Sequence, residues 1–199
     1  APEGHIGDAA YPPAIAGALR ELLVAGVLCN DAALNRDSSR HGGKWEIVGD
    51  PTEGALLVVA RKAGLDEGTL QTVFPRLDVL PFDSAAQYMA TAHEVEGVQM
   101  VYVKGALERI LPRCGDMLDA EGRVRPFDAD AVERHAQAMA ERGYRVLAFA
   151  RGSRQRGVPL SHEQLSEQHL SFLGLVGMID PPRPKAISAV RACHAAGIK

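Results

Sequence analysis

The sequence predicts an α+β fold, a mixed and largely antiparallel sheet with flanking helices. Two observations predict it. Apolar runs of strand length, rich in Val, Tyr, Phe and Met, are joined by hairpin-type connections, the clearest being Glu96-Gly97 between residues 87–95 and 98–103. Between such runs lie segments with apolar residues at helical spacing, started by Asp and stopped by Gly.

Residues 1–13 are rich in Gly and Pro and read as an irregular lead-in. Over 14–29, Ile15, Leu19, Leu22, Leu23 and Gly26 recur on one helical face. Residues 30–43 are polar with a double glycine and read as a loop, and 44–48 as a short strand. Asp50 suits an N-cap and Pro51 the first helical position, with Glu53 placed as the returning arm of a capping box. A helix then runs to Ala63, and Gly64 ends it. A short helix follows at 66–72, then strands at 76–82, 87–95 and 98–103. Residues 106–113 suit a short helix. Asp130 with Glu133 reads as a second capping pair, with Val132, Ala136 and Met139 on one face and Gly143 as the stop. The last two strands are 145–150 and 172–177. The prolines of Asp180-Pro181-Pro182-Arg183-Pro184 stiffen the chain into a linker, because each fixes φ and restricts its predecessor. The helix beyond, with Ile187, Val190, Arg191 and His194 and a stop at Gly197, carries too few apolar residues for a core of its own.

Composition narrows the function. The 199 residues carry 46% hydrophobic and 24% charged side chains, enough to bury a core. The net charge of −3 comes from 22 basic and 25 acidic groups that are interspersed, which disfavours nucleic acid as a partner. Cys29, Cys114 and Cys193 lack metal-ligand spacing and read as small buried hydrophobes of a reduced compartment. No metal ligand set is expected. No run reaches the ~20 apolar residues of a membrane span, so the piece reads as soluble and cytoplasmic. There is no GxxxxGK[ST], GxGxxG or GxSxG motif.

Four short stretches carry candidate chemistry, and each also has a plain structural reading. Gly49-Asp50-Pro51-Thr52-Glu53-Gly54-Ala55 presents free backbone N–H groups and polar side chains at a helix start, or simply caps it. Pro81-Phe82-Asp83-Ser84 places a ring at a strand end, to stack a planar base or to fill the core. In Val103-Lys104-Gly105-Ala106 the ammonium can meet a ligand or snorkel to water, and Gly105 permits close backbone approach. Arg145 opens the apolar strand RVLAFA, to clamp a phosphate or to pair a carboxylate.

In order, GDPTEGA, PFDS, VKGA, RVLAFA and DPPRP resemble the nucleotide-binding domain of P-type cation-transporting ATPases, in the subgroup of calcium and sodium/potassium pumps and their bacterial relatives. Cys29-Asn30-Asp31 after the first helix fits too. The resemblance covers roughly residues 15–199 and implies that domain's fold. It implies ATP in a pocket where Phe82 stacks adenine and Glu53, beside Thr52, reads its polar edge. Lys104, Gly105 and Ala106 would line the pocket, and Arg145 and Leu147 would meet the ribose and phosphates. The sequence departs from the family at Gln87, which stands where a lysine or arginine usually contacts the nucleotide, and this lowers the affinity to expect.

The resemblance divides the chain into a nucleotide-binding domain at 1–179, a hinge at 180–184 (Asp180, Pro181, Pro182, Arg183) and, at 185–199, the first helix of a truncated phosphorylation domain. The DKTGT, TGD and GDGxND motifs are absent from this sequence, so the piece is expected to bind ATP without hydrolysing it. The whole enzyme would be a hydrolase and translocase, using ATP with Mg²⁺ through an aspartyl phosphate to move a cation. Its partners would be the pump's own phosphorylation, actuator and transmembrane domains, with this piece on the cytoplasmic side of the membrane. The rival readings are a stand-alone interaction or regulatory domain and a complete nucleotide-dependent transferase. Lys104→Ala and Phe82→Ala are expected to weaken ATP binding with little loss of stability.

Overall fold

The computed structural model describes residues 2–4, 6, 17–37, 44–167, 169–180 and 184–198. Helix α1 (Gly17–Leu28) is apolar enough that its second half, Leu23 to Leu28, is buried all round. It emerges into β1 (Ala33–Asp37), which pairs antiparallel with β2 (Lys44–Val48) as a two-stranded sheet. The expected loop at 30–43 is therefore partly strand. Its polar composition hid a ribbon that cross-strand pairing stabilises, and residues 38–43 lie outside the described residues.

Asp50 caps α2 (Pro51–Lys62), its carboxylate accepting the N–H groups of Thr52 at 2.7 Å and Glu53 at 3.2 Å. The helix sits tightly on β2, because a Cβ at Gly54 would lie 2.4 Å from Ile47 Cγ2. Helix α3 (Glu67–Val73) is capped by Asp66.

The main sheet contains β3 (Arg76–Asp83), β4 (Tyr88–Val95), β5 (Val98–Gly105), β6 (Cys114–Leu118), β7 (Val124–Arg125), β8 (Arg145–Arg154) and β9 (Leu170–Met178). Its order is β3-β4-β5-β8-β9-β6-β7, antiparallel except for the parallel β6–β9 pair. The fold is α+β with a mixed sheet, as the hairpin connections predicted. Glu96 at φ 50° and Gly97 at φ 85° give the left-handed pair that a tight β4–β5 turn requires.

Helix α4 (Leu107–Ile110) continues as a 3₁₀ turn, Leu111–Arg113. Helix α5 (Ala129–Glu141) is capped by Asp128, whose carboxylate accepts Ala131 N–H at 3.1 Å. Asp130, the expected cap, instead lies inside the first turn. Strands β6 and β7 and helix α6 (His162–Glu167) carry no strong periodicity and escape a reading of the sequence. Helix α7 (Pro184–Ala195) has only exposed side chains among its described residues.

Alternation along the strands separates two cores. Met89, Tyr102 and Phe149 pack with α1 and α2 through Val24, Leu28, Leu56 and Leu57. On the opposite face, Tyr88, Val101, Val103 and Ala148 pack with Ile110, Leu165 and Phe172. Cover on both faces explains why β4 is buried continuously from Tyr88 to His93. Among the described residues no helix is long and apolar enough to cross a membrane.

Candidate functional site

A cleft of about 310 Å³ opens where the N-terminus of α2 meets the ends of β3, β5 and β8. It is lined by Asp50, Thr52, Glu53, Phe82, Met89, Lys104, Gly105, Arg145 and Leu147. Seven of these were singled out in the sequence, on four segments separated by up to 95 positions, from Thr52 to Leu147. The sheet order explains the meeting: β5 lies between β4 and β8, and α2 packs over the same face.

Lys104 forms the floor. Its Nζ donates to Glu53 Oε1 at 2.6 Å, and the two side chains are only 8% and 17% exposed. Strand alternation turns Lys104 onto the face of Met89, its register partner, so the ammonium points into the fold and does not snorkel to water. The second Glu53 oxygen, Oε2, accepts the Asp31 N–H at 2.9 Å. The returning arm of the expected capping box is thus engaged elsewhere. Below, Cys29 lies against the Met89 carbonyl with Sγ at 3.7 Å, and burial pushes its thiol up to about 11 despite the nearby Lys104 charge. Cys114 is half-buried and Cys193 is exposed on α7, so only Cys29 of the three fits the expected small buried hydrophobe.

Phe82 stands at the opening, 64% exposed. Two features of β3 put it there. This is an edge strand, where Pro81 removes no needed donor, and the register with β4 shifts between Leu80 and Asp83. Asp83 then accepts the N–H groups of Ala85 at 2.8 Å and Ala86 at 2.7 Å, which turns the chain directly after the ring. The amides hold the Asp83 carboxyl below its ordinary range. A large apolar ring left exposed beside a cleft is not a core residue, which removes the plain reading of Phe82.

Arg145 is exposed at the rim and donates from Nη1 to Thr52 Oγ1 at 3.2 Å. Among the described residues it meets no carboxylate at ion-pair distance. The Thr52 hydroxyl, with the Thr52 and Glu53 amides, holds the nearby Asp50 carboxyl below its ordinary range. The cleft thus carries Lys104 and Arg145 against Asp50 and Glu53.

Gln87 and Ala106 are absent from the lining. Gln87 adopts φ 60°, and its Oε1 accepts Arg109 Nε at 3.0 Å. Ala106 gives its N–H to the Gln87 carbonyl at 3.0 Å, which ties it to the turn. Gly105 lines the cleft, but the close approach it permits is to its own chain: a Cβ there would meet Gln87 O at 2.3 Å and Tyr88 Cα at 2.6 Å. Asp50 and Met89 complete the wall. Asp50 was masked by its role as a cap, and Met89 by its place in a buried strand. Of the linker, Asp180 is exposed and residues 181–183 lie outside the described residues. Among the described residues no three His, Cys, Asp or Glu side chains gather as metal ligands.

The family model for the P-type ATPase, cytoplasmic domain N, matches residues 18–185. The chain is 48% identical over 185 residues to the cation-transporting ATPase pma1 of Synechocystis, covering 91% of this chain and 19% of that protein. It is 46% identical over 191 residues to the probable cation-transporting ATPase F of Mycobacterium tuberculosis, covering 96% of this chain and 21% of that one. The calcium-transporting ATPase of Bacillus subtilis is 34% identical over 187 residues, or 91% of this chain and 20% of its own length. The chain therefore spans about a fifth of the curated relatives it matches. On the extent of these matches, the chain belongs to the family of P-type ATPase cytoplasmic N domains.

Proposed function

We propose that the cleft binds ATP, with the adenine against Phe82 and the phosphates at the rim near Arg145. The observation that carries this reading is an exposed aromatic ring over a cleft floored by a buried, paired Lys104 and Glu53. The distribution of burial orients the ligand. A polyphosphate is strongly hydrated and is held most cheaply where water remains, which is the exposed end at Arg145. The base loses little hydration on stacking, and a carboxylate fixed at the floor can accept from an exocyclic amino group. Thr52, Gly105 and Leu147 complete the lining, while Gln87 and Ala106 support the turn behind it.

Within the longer proteins to which the chain is related, this domain would present the γ-phosphate to an aspartate of a separate phosphorylation domain. Mg²⁺ would travel with the phosphates, and hydrolysis would drive a cation across the membrane from the cytoplasmic side. The segment after Asp180 would be the hinge, with α7 as the first helix of that neighbouring domain. Phosphoryl transfer depends on alignment and charge stabilisation, so a part that only binds and aims the nucleotide contributes to the rate. On this reading the chain alone binds ATP and does not turn it over.

Calorimetric titration of the chain with ATP tests the proposal. Phe82→Ala is expected to weaken binding by roughly 1–3 kcal/mol, the range for loss of a base–aromatic stack. Unfolding stability should change by no more than about 1 kcal/mol, since the ring is exposed. Unchanged affinity in Phe82→Ala contradicts the placement of adenine.

A further inference from the structure

Glu53 keeps one cleft-facing orientation because of contacts made behind it. The Asp31 N–H donates to Glu53 Oε2 at 2.9 Å. The buried Asn30 side chain donates from Nδ2 to the carbonyls of Gly26 at 2.9 Å and Glu53 at 3.0 Å, and its Oδ1 accepts Ala32 N–H at 2.9 Å. The segment leaving α1 is therefore the template on which the first turn of α2, and with it Glu53, is set.

That segment is itself gripped by Arg76, the first residue of β3. Its Nη1 pairs with Asp31 Oδ1 at 2.6 Å, and its Nη2 donates to the carbonyls of Leu28, at 3.1 Å, and Asn30. Leu28 is the last residue of α1, so the guanidinium satisfies a helix-end carbonyl and lies at the negative end of the helix dipole. Arg76 does not line the cleft. It borders a separate cavity of about 420 Å³ with Asn30, Asp31, Glu67 and His93.

We propose that Arg76 is a positioning residue for nucleotide recognition, acting through Asp31 and Asn30 to hold Glu53 where it faces the base. The inference rests on the ATP-binding reading above. A guanidinium is suited to the task, since its planar fork of donors spans a carboxylate and two carbonyls at once, whereas an ammonium is a single point. Without it the Asp31 carboxylate, whose side chain is 55% exposed, is free to rehydrate. The Asp31 amide then leaves Glu53, and the glutamate swings on Lys104 alone.

A double-mutant cycle tests this in the 199-residue chain, with ATP and GTP as probes. Arg76→Ala is expected to weaken ATP binding about tenfold in the unsubstituted protein and less than about twofold in Glu53→Gln, because the two residues act through one contact. The ratio of ATP to GTP affinity should fall in both single variants. The Asp31 amide proton should move upfield in both Arg76→Ala and Glu53→Gln. Should Arg76→Ala fail to fold, Asp31→Ala removes the ion pair at an exposed position, and its smaller effect should likewise vanish in Glu53→Gln. Additive effects, with Glu53→Gln itself weakening binding, overturn the role of Arg76 alone. Absence of ATP binding by the unsubstituted chain, or full affinity in Glu53→Gln, overturns the reading of the cleft and this inference with it.

Discussion

A lysine at the end of an apolar strand is commonly a solvated one, and Lys104 is not. Its stem is covered by the fold and its ammonium is used by Glu53 at 2.6 Å. Truncating it strands a carboxylate that is 17% exposed and, among the described residues, keeps only the Asp31 amide as a donor. Lys104→Met is therefore expected to lower unfolding stability by about 2 kcal/mol in urea titrations, with most of the loss recovered in Lys104→Met/Glu53→Gln. A single variant within about 0.5 kcal/mol of the unsubstituted protein contradicts the pairing. This revises the sequence-based expectation that Lys104 is dispensable for stability. The residue type and its strand position were legible; the partner, 51 positions away, was not, because Glu53 looked fully occupied as a capping arm. Phe82 was legible as a candidate ring, and only the sheet order, which makes β3 an edge, shows why it stays exposed.

Local elements were readable where a short-range signal dictates them. Asp50 before Pro51, Asp66 before Glu67 and the Glu96-Gly97 turn each satisfy orphan amides or a left-handed backbone within a few residues. Strands β6 and β7 were not, since Cys114–Leu118 is held by parallel pairing to β9, more than fifty positions on, and Val124–Arg125 by β6 alone. In α5 the sequence pattern pointed to Asp130 as the cap, and the chain uses Asp128, two residues earlier. The β4–β5–α4 corner gives the clearest test at this scale. Gly105 is the register partner of Tyr88, with no room for a methyl group against the Gln87 carbonyl. Gly105→Ala should destabilise the domain by about 2 kcal/mol or more and shift Tyr88 and Ala106 amide resonances, the signature of a displaced strand. An alanine variant of unchanged stability means that the corner relaxes freely.

At the scale of the molecule, one sheet with cores on both faces leaves a buried histidine between them. His93 Nδ1 donates to the Phe74 carbonyl at 3.0 Å, and burial holds its pKa below the ordinary 6.5 in spite of that bond. The unfolded chain therefore takes up this proton first as the pH falls. The stability contribution is full above about 6.5 and is lost progressively below it, through the interval down to the folded pKa. Urea midpoints at pH 7.5, 6.5 and 5.5 should decline in that order, and His93→Asn, which can keep the bond to Phe74, should flatten the decline. A decline of equal size in the variant assigns it to other groups.

The same two-faced sheet brings four distant segments to one cleft. Amide and methyl chemical shifts followed during titration with ATP test that convergence most directly. Perturbations are expected to concentrate at Thr52, Glu53, Phe82, Lys104, Arg145 and Leu147 and to saturate with one binding curve. No perturbation at millimolar ATP, or perturbations confined to the separate cavity that Leu107, Glu108, Ala136 and Tyr144 line between α4 and α5, would contradict it.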